Sequence, residues 1–233
     1  FLDSSLRVEG MRTVGNTLYV AVHQKGLRAL QVAADLPEQP FAVTGLTDSW
    51  DLAPLQESYL AVADGEGGLR IVDPAKQTVV ATVALPGRAA YVATLGGMVA
   101  VGALGGGVHV VDAWNPLKPM VQASASLPGD AYGVMVRGGQ LFAAGGHQVL
   151  AWTLGKGGKP VPRGTLRSEH YALDIQNFTE GQVLTTEFQS VRRLAVAESA
   201  PAGGYLVLPS ATYAPLANVG QQLHATVRLA NVG

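Results

Sequence analysis

Apolar and polar positions along this chain fall into short runs separated by glycine-bearing turns. The densest apolar runs are Tyr19–Val22, Tyr59–Ala63, Val99–Gly102, Leu141–Ala144 and Val183–Thr186. Each follows a turn dipeptide: Gly15-Asn16, Gln56-Glu57, Gly96-Gly97, Gly138-Gly139 and Glu180-Gly181. Such dipeptides predict two-residue hairpins. The first arm of each hairpin is a strand of mixed alternation: Arg7–Val14, Trp50–Leu55, Ala90–Leu95, Tyr132–Arg137 and Tyr171–Phe178. The dense runs are too short for helices and too apolar for exposed strands, so they are expected to be covered on both faces by neighbouring sheets.

A third strand follows a short loop, at Leu27–Val32, Leu69–Val72, Val108–Val111, Val149–Leu154 and Val191–Val196. Turns carrying Asp and often Pro come next, as at Asp35-Leu36-Pro37, Asp73-Pro74 and Asp112-Ala113-Trp114-Asn115-Pro116. Asp accepts backbone N–H bonds and Pro fixes φ, which is turn chemistry. Weaker fourth strands, Thr78–Ala84 and Met120–Ser126, are closed by Leu-Pro-Gly at 85–87 and 127–129. No stretch has a convincing helical period. The anchors Leu27, Leu69, Val108, Val149 and Val191 are 42, 39, 41 and 42 residues apart. A period of about 40 residues with several short strands per unit predicts an all-β β-propeller with four-stranded blades, at least five of them in this chain.

The runs YLAVADGEGGLRIVD at 59–73 and VHVVDAWNPLKPMVQ at 108–122 resemble the LVIVD repeat of bacterial and archaeal proteins. In that repeat a Tyr-Val-Ala strand leads into Gly-Leu-x-Ile-Val-Asp and an Asn-Pro turn. The resemblance extends over residues 6–200, strongest in the second and third units. It fades in the fifth, where Ser190-Val191-Arg192-Arg193-Leu194 replaces the Gly-Leu signature. It implies a propeller of extracytoplasmic proteins, whether secreted, periplasmic or cell-surface, with no assigned catalytic residues.

Aligning Tyr19 with Leu141 sets Phe1–Ser4 opposite Ala123–Ser126, the outer strand of a preceding unit. The propeller, residues 1–209, is therefore expected to begin in mid-blade. That strand would complete the last sheet of a five-blade ring, or in a ring of seven or eight the missing blades would lie upstream. In residues 210–233, Leu223, Ala225, Val227 and Leu229 alternate with His224, Thr226, Arg228 and Ala230. This segment resembles the opening of an immunoglobulin-like β-sandwich of anchored bacterial surface proteins (choice-of-anchor type). The chain is expected to belong to a larger multidomain protein.

Composition narrows the partners. The 233 residues are 48% hydrophobic and only 14% charged, with 16 basic against 17 acidic side chains. No basic field gathers phosphates, so no nucleic-acid partner is expected. There are no cysteines, hence no disulfides or thiolate metal sites. No run approaches the ~20 apolar residues of a membrane-spanning helix.

Candidate chemistry sits in the loops. Asp64-Gly65-Glu66-Gly67-Gly68 offers two carboxylates, but the aligned loops lack acids, and it reads as a glycine-rich turn with solvated charges rather than a calcium site. His23, His109, His147, His170 and His224 have no ligand spacing and read as solvated loop residues, although His23 and His147 share one loop position. No metal or cofactor is expected. No Gly-x-Ser-x-Gly elbow is present, and the Gly-rich stretches precede no helix that holds an anion.

A more promising set stands at the entry to each innermost strand: Asp48 and Trp50, Arg88 and Tyr91, Asp130 and Tyr132, Glu169, His170 and Tyr171, with Asp174 beyond. These connections surround one mouth of a propeller channel, where ligands dock. Aromatic surface mixed with charge suits an interface core. The expected role is a non-catalytic scaffold or adhesion module whose partner is a protein or a surface glycan. The rival is a propeller hydrolase, lyase or dehydrogenase, which requires His170, Asp130, Arg88 and Asp48 to converge. A glycan-binding module requires Trp50, Tyr91, Tyr132 and Tyr171 to form an exposed stacking surface.

Overall fold

The structure is a computed structural model and describes residues 7–31, 38–39, 43–127, 129–155, 159–168, 170–179, 182–187 and 190–195. It is all-β, a propeller of five blades. Blade 1 comprises β1 (Gly10–Val14), β2 (Thr17–Ala21), β3 (Leu27–Gln31) and β4 (Glu38–Gln39). Blade 2 comprises β5 (Asp51–Leu55), β6 (Tyr59–Ala63), β7 (Leu69–Asp73) and β8 (Thr78–Val83). Blade 3 comprises β9 (Arg88–Leu95), β10 (Met98–Leu104), β11 (Gly107–Asp112) and β12 (Met120–Ala125). Blade 4 comprises β13 (Gly133–Arg137), β14 (Gln140–Gly145), β15 (Gln148–Leu154) and β16 (Pro160–Arg167). Blade 5 shows β17 (Ala172–Thr179), β18 (Gln182–Glu187) and β19 (Val191–Ala195) among the described residues.

Each blade is an antiparallel meander, and β1, β5, β9, β13 and β17 pack on one another in turn as the innermost strands. The ends where these strands begin form one edge of the propeller, called the upper face below. The β2–β3 type loops and the segments entering each innermost strand share that face.

The dense apolar runs become the second strand of each blade because they are buried from both sides. In β6, Leu60, Ala61, Val62 and Ala63 are all 0–1% exposed. The core accordingly lies between blades rather than within them. Leu27 of blade 1 packs with Leu52 and Val62 of blade 2, Leu55 and Ile71 with Val92 and Val101 of blade 3, and Val110 with Leu141 and Trp152 of blade 4. Truncating one such Leu or Ile to Ala costs about 2–5 kcal/mol, because rigid sheets collapse poorly around a cavity.

The turns at Gly15-Asn16, Gly96-Gly97 and Gly138-Gly139 are two-residue hairpins, closed by the pairs Val14 with Thr17, Leu95 with Met98, and Arg137 with Gln140. The turn at Gln56-Glu57 is not. Leu55 pairs with Tyr59, so the loop is Gln56-Glu57-Ser58, with Gln56 at φ 54°. The longer loop lets Gln56 Nε2 donate to the carbonyls of Ala113 (3.4 Å) and Trp114 (3.1 Å) in blade 3. The Glu180-Gly181 turn, the Phe1–Ser4 strand and the sandwich reading of 210–233 lie outside the described residues. No helix among the described residues is long and apolar enough to cross a membrane.

Candidate functional site

The upper face of blades 1 to 3 carries one connected polar cluster. The loop after β2 holds His23 at φ 42°, a left-handed conformation rare for a side-chain-bearing residue. The equivalent position in blade 2 is Gly65, at φ 57°. The equivalence is set by matching bonds: Val22 N donates to Gly26 O as Asp64 N does to Gly68 O, while His23 bridges Ser49 as Gly65 bridges Ala89. His23 Nδ1 lies 2.8 Å from Asp48 Oδ1, and its Nε2 lies 2.9 Å from Glu9 Oε1. Carboxylates accept and do not donate, so a ring nitrogen that carries a proton donates it to the carboxylate it faces.

Asp48 is the hub. Its Oδ2 accepts from Trp50 Nε1 at 2.8 Å and from Arg88 at 2.8 Å. The Arg88 guanidinium lies 4.8 Å over the Trp50 ring, and the His23 ring meets Trp50 edge-on at 4.6 Å. Burial alone would raise the Asp48 carboxyl; hydrogen bonds from Trp50, His23 and Arg88 outweigh it and hold the group below its ordinary value. Beyond Glu9, Arg7 continues the chain of charges, its Nε bonded to Glu9 Oε1. Three blades thus contribute to one alternating series: Arg7, Glu9, His23, Asp48, Arg88.

Asp64 positions this hub from beneath, which corrects its reading as a solvated turn charge. It is fully buried. Its oxygens accept from Thr47 N (3.0 Å to each oxygen), Thr47 Oγ1 (2.9 Å), Asp48 N (2.8 Å) and Arg70 Nε (3.2 Å). The carboxylate is a brace for the Thr47–Asp48 backbone. Among the described residues no group of three His, Asp or Glu side chains is placed to hold a metal ion.

The remaining expected residues fall into separate arrangements. Asp130 Oδ1 accepts from Gly105 N of blade 3 at 2.7 Å, and its Oδ2 from the Tyr132 hydroxyl at 3.2 Å. Burial, and then the Asp130 carboxylate, raise the Tyr132 hydroxyl. Tyr91 faces inward. Burial, followed by the charges of Glu9, Asp174 and Asp51, pushes its hydroxyl up to about 12. Tyr171 is 49% exposed and its ring lies 4.6 Å from that of His147. His170 is half-buried, and Glu169 is outside the described residues. The structure therefore joins Asp48, Trp50 and Arg88 and joins Asp130 to Tyr132, but Asp130 bonds to a different loop from the Asp48 hub. Arg88 covers one face of the half-buried Trp50 ring, so the indole does not stand as a bare stacking platform.

Two of the histidines also depart from the solvated reading. His23 is only 17% exposed in its side chain, clamped as described. His109, on β11, is 1% exposed; its Nδ1 lies 2.8 Å from Ser124 Oγ and its Nε2 has no partner. Burial lowers its ring below the usual histidine range. His109 stands where blade 2 has Arg70 and blade 5 has Arg192. Those arginines pair with buried acids at the end of the preceding strand, Arg70 with Asp64 at 3.2 Å and Arg192 with Glu187 at 3.3 Å.

Asp51, at the start of β5, was absent from the expected set. Its Oδ2 accepts from Val92 N at 3.1 Å and Arg12 lies 3.5 Å from its Oδ1; burial nevertheless raises its carboxyl. Its place requires Gly10 on the neighbouring blade, where a Cβ would sit 2.7 Å from Asp51 Oδ1. Gly133 and Asp174 repeat the arrangement between blades 4 and 5, at 2.8 Å from the Asp174 Cα. Glu9 and His23 had one usable signal, a histidine standing in the turn position that blade 2 fills with glycine.

Residues 48–74, which include Asp48, Trp50, Asp64 and Arg70, match the LVIVD repeat. No curated protein matches the chain. Among solved structures the chain is similar to the computationally designed protein Ika8, with a TM-score of 0.69 at 10% identity, covering 89% of this chain and 65% of that one. It is also similar to a chain in the crystal structure of the Mitotic Checkpoint Complex, with a TM-score of 0.67 at 18% identity, covering 88% of this chain and 68% of that one. The chain thus spans about two thirds of the length of these structures. At such identities the likeness shows the fold alone.

Proposed function

We propose that this chain is a non-catalytic interaction module, part of an extracytoplasmic scaffold or adhesion protein, that docks a protein partner on its upper face across blades 1 to 3. The observation that carries this reading is the Asp48 cluster. Three blades converge there to fix an arginine, a tryptophan and a histidine in one preorganised patch, and Arg and Trp are the residue types that anchor interfaces. The polar groups are bonded to one another rather than aimed at a shared reacting position, which favours recognition over chemistry. The resemblance to the LVIVD repeat supports the extracytoplasmic placement.

A photo-crosslinking residue placed at Gln24, in the His23 loop, tests the face, with one at Lys118 on the opposite edge as control. The expected result, in cells making the parent protein, is a discrete adduct from Gln24 that the substitution Trp50→Ala abolishes. Equal adducts from both positions, or adducts from Lys118 alone, would remove this face from the reading.

A further inference from the structure

We infer that the partner segment docked on the upper face is an acidic polypeptide bearing at least two carboxylates. This deepens the reading above and rests on it. The argument is a count of unused hydrogen-bonding capacity. Asp48 spends both oxygens on His23, Trp50 and Arg88, and Glu9 Oε1 accepts from both Arg7 and His23. The acids at the heart of the patch are thus largely consumed by internal donors.

The donors are not consumed. Arg88 uses one η nitrogen on Asp48 and keeps a side chain 44% exposed; Arg7 uses only its Nε and is 72% exposed. A guanidinium carries five N–H groups, so both retain a fork of free donors. Lys25, exposed in the same turn as His23, makes no side-chain bond or ion pair among the described residues. Against these three cations the neighbouring turn of blade 2 offers Glu66, an exposed acid without a side-chain partner among the described residues. The stacking of Arg88 on Trp50 also holds its fork in place, which lowers the ordering cost of receiving a carboxylate.

Geometry favours a peptide over a single small anion. Arg7 and Arg88 stand at opposite ends of the series Arg7, Glu9, His23, Asp48, Arg88, four side-chain contacts apart and on different blades. A segment with spaced Asp or Glu residues meets both ends and Lys25 besides.

The test is fluorescence anisotropy of a labelled Glu-Gly-repeat dodecapeptide with the whole chain, alongside its Gln-Gly counterpart, inorganic phosphate as competitor, and vesicles containing phosphatidylserine. The acidic peptide is expected to bind, the amide peptide to bind at least about tenfold more weakly, and the affinity to fall with added salt. Lys25→Glu, an exposed change that leaves the Asp48 hub intact, is expected to weaken the acidic peptide about tenfold with an unchanged melting temperature. Arg7→Glu is expected to act in the same direction.

Equal binding of the two peptides, insensitivity to both charge reversals, or binding of vesicles without binding of peptide would overturn the inference. If the Gln24 adduct forms and the acidic peptide fails to compete for it, the upper face stands and only the acidic chemistry falls. If no adduct forms from Gln24, the reading of the face falls first.

Discussion

Asp48 and Asp130 hold one place in two repeats, two residues before an aromatic residue that leads into an innermost strand. Both reach back to the preceding blade and both accept from that aromatic. At Asp130 the preceding blade supplies a backbone amide, Gly105 N, and the aromatic supplies a phenol at 3.2 Å. At Asp48 the preceding blade supplies the His23 side chain, the aromatic supplies an indole N–H at 2.8 Å, and the following blade adds Arg88. The difference teaches what the repeat specifies. At these two junctions a carboxylate ties consecutive blades together, whereas blade 3 carries Arg88 at the same place, and the donors around the two carboxylates differ. Where they are side chains from three blades, the tie becomes a surface with chemistry of its own.

The most damaging way to break this contrast is from below. Asp64 braces the Asp48 backbone and pairs with Arg70, whereas blade 4, which holds Asp130, has Gly145 at that position. Asp64→Ala leaves Arg70 and the amides of Thr47 and Asp48 without their acceptor in a buried setting. The expected cost is about 3–5 kcal/mol, read as a drop in thermal or denaturant midpoint, with crosslinking from Gln24 lost as well. A loss below about 1 kcal/mol would show that Asp64 does not brace the site.

Substituting the two hubs compares them directly. Asp48→Asn removes the charge that three side chains converge on and is expected to cost about 1.5–3 kcal/mol, whereas Asp130→Asn, which keeps an acceptor for Gly105 N, is expected to cost about 0.5 kcal/mol. A double-mutant cycle of Asp48→Asn with Arg88→Gln is expected to show coupling of about 0.5–1 kcal/mol. Equal costs at the two aspartates would erase the distinction.

These numbers also mark what the sequence made legible. Strand order, the five units and the membership of Asp48, Trp50 and Arg88 in one face were readable because period-2 patterning and turn chemistry act locally and repeat. The donors to Asp48 were less so. His23 joins it from 25 positions away, and only the blade-to-blade packing brings the two together. Asp64 looked like a solvated turn charge because its acceptor role depends on the backbone of Thr47 and Asp48 folding over it. Burial of His109 was likewise invisible until blades 2 and 3 were stacked.

Acidity separates the junctions further. Asp48, held low, contributes stability that is fully present above its unfolded value of 3.8 and is lost as the pH falls through its folded value. His109 runs the other way from a partnered histidine. Its folded value lies below the ordinary 6.5, so the unfolded chain takes up a proton first and stability falls as the pH drops through 6.5. Melts between pH 8 and 5 are expected to show a decline in stability that His109→Leu flattens. An unchanged pH slope in that variant would assign the decline elsewhere. Below pH 4 the Asp48 contribution is expected to disappear in the wild type but not in Asp48→Asn, which has already lost it.

The subtlest test lies in the His23 turn. Blade 2 fills this left-handed position with Gly65 and blade 1 with a histidine that bears the cost of φ 42° to stand between Glu9 and Asp48. His23→Gly removes both hydrogen bonds and relieves the backbone, two effects of similar size and opposite sign, so stability is expected to change by less than about 0.5 kcal/mol. His23→Ala removes the same bonds and keeps the disfavoured backbone, and is expected to be less stable than His23→Gly by about 1 kcal/mol. Both variants strip His23 from Asp48 Oδ1 and Glu9 Oε1, leaving Asp48 to Trp50 and Arg88 and Glu9 to Arg7, so more carboxylate capacity competes for the cations of the patch. Affinity for an acidic peptide should therefore fall in both variants alike, while their melting temperatures differ. Were binding instead to follow melting temperature across the pair, His23 would be a turn residue whose neighbours happen to be charged, and the contrast with Gly65 would concern folding alone.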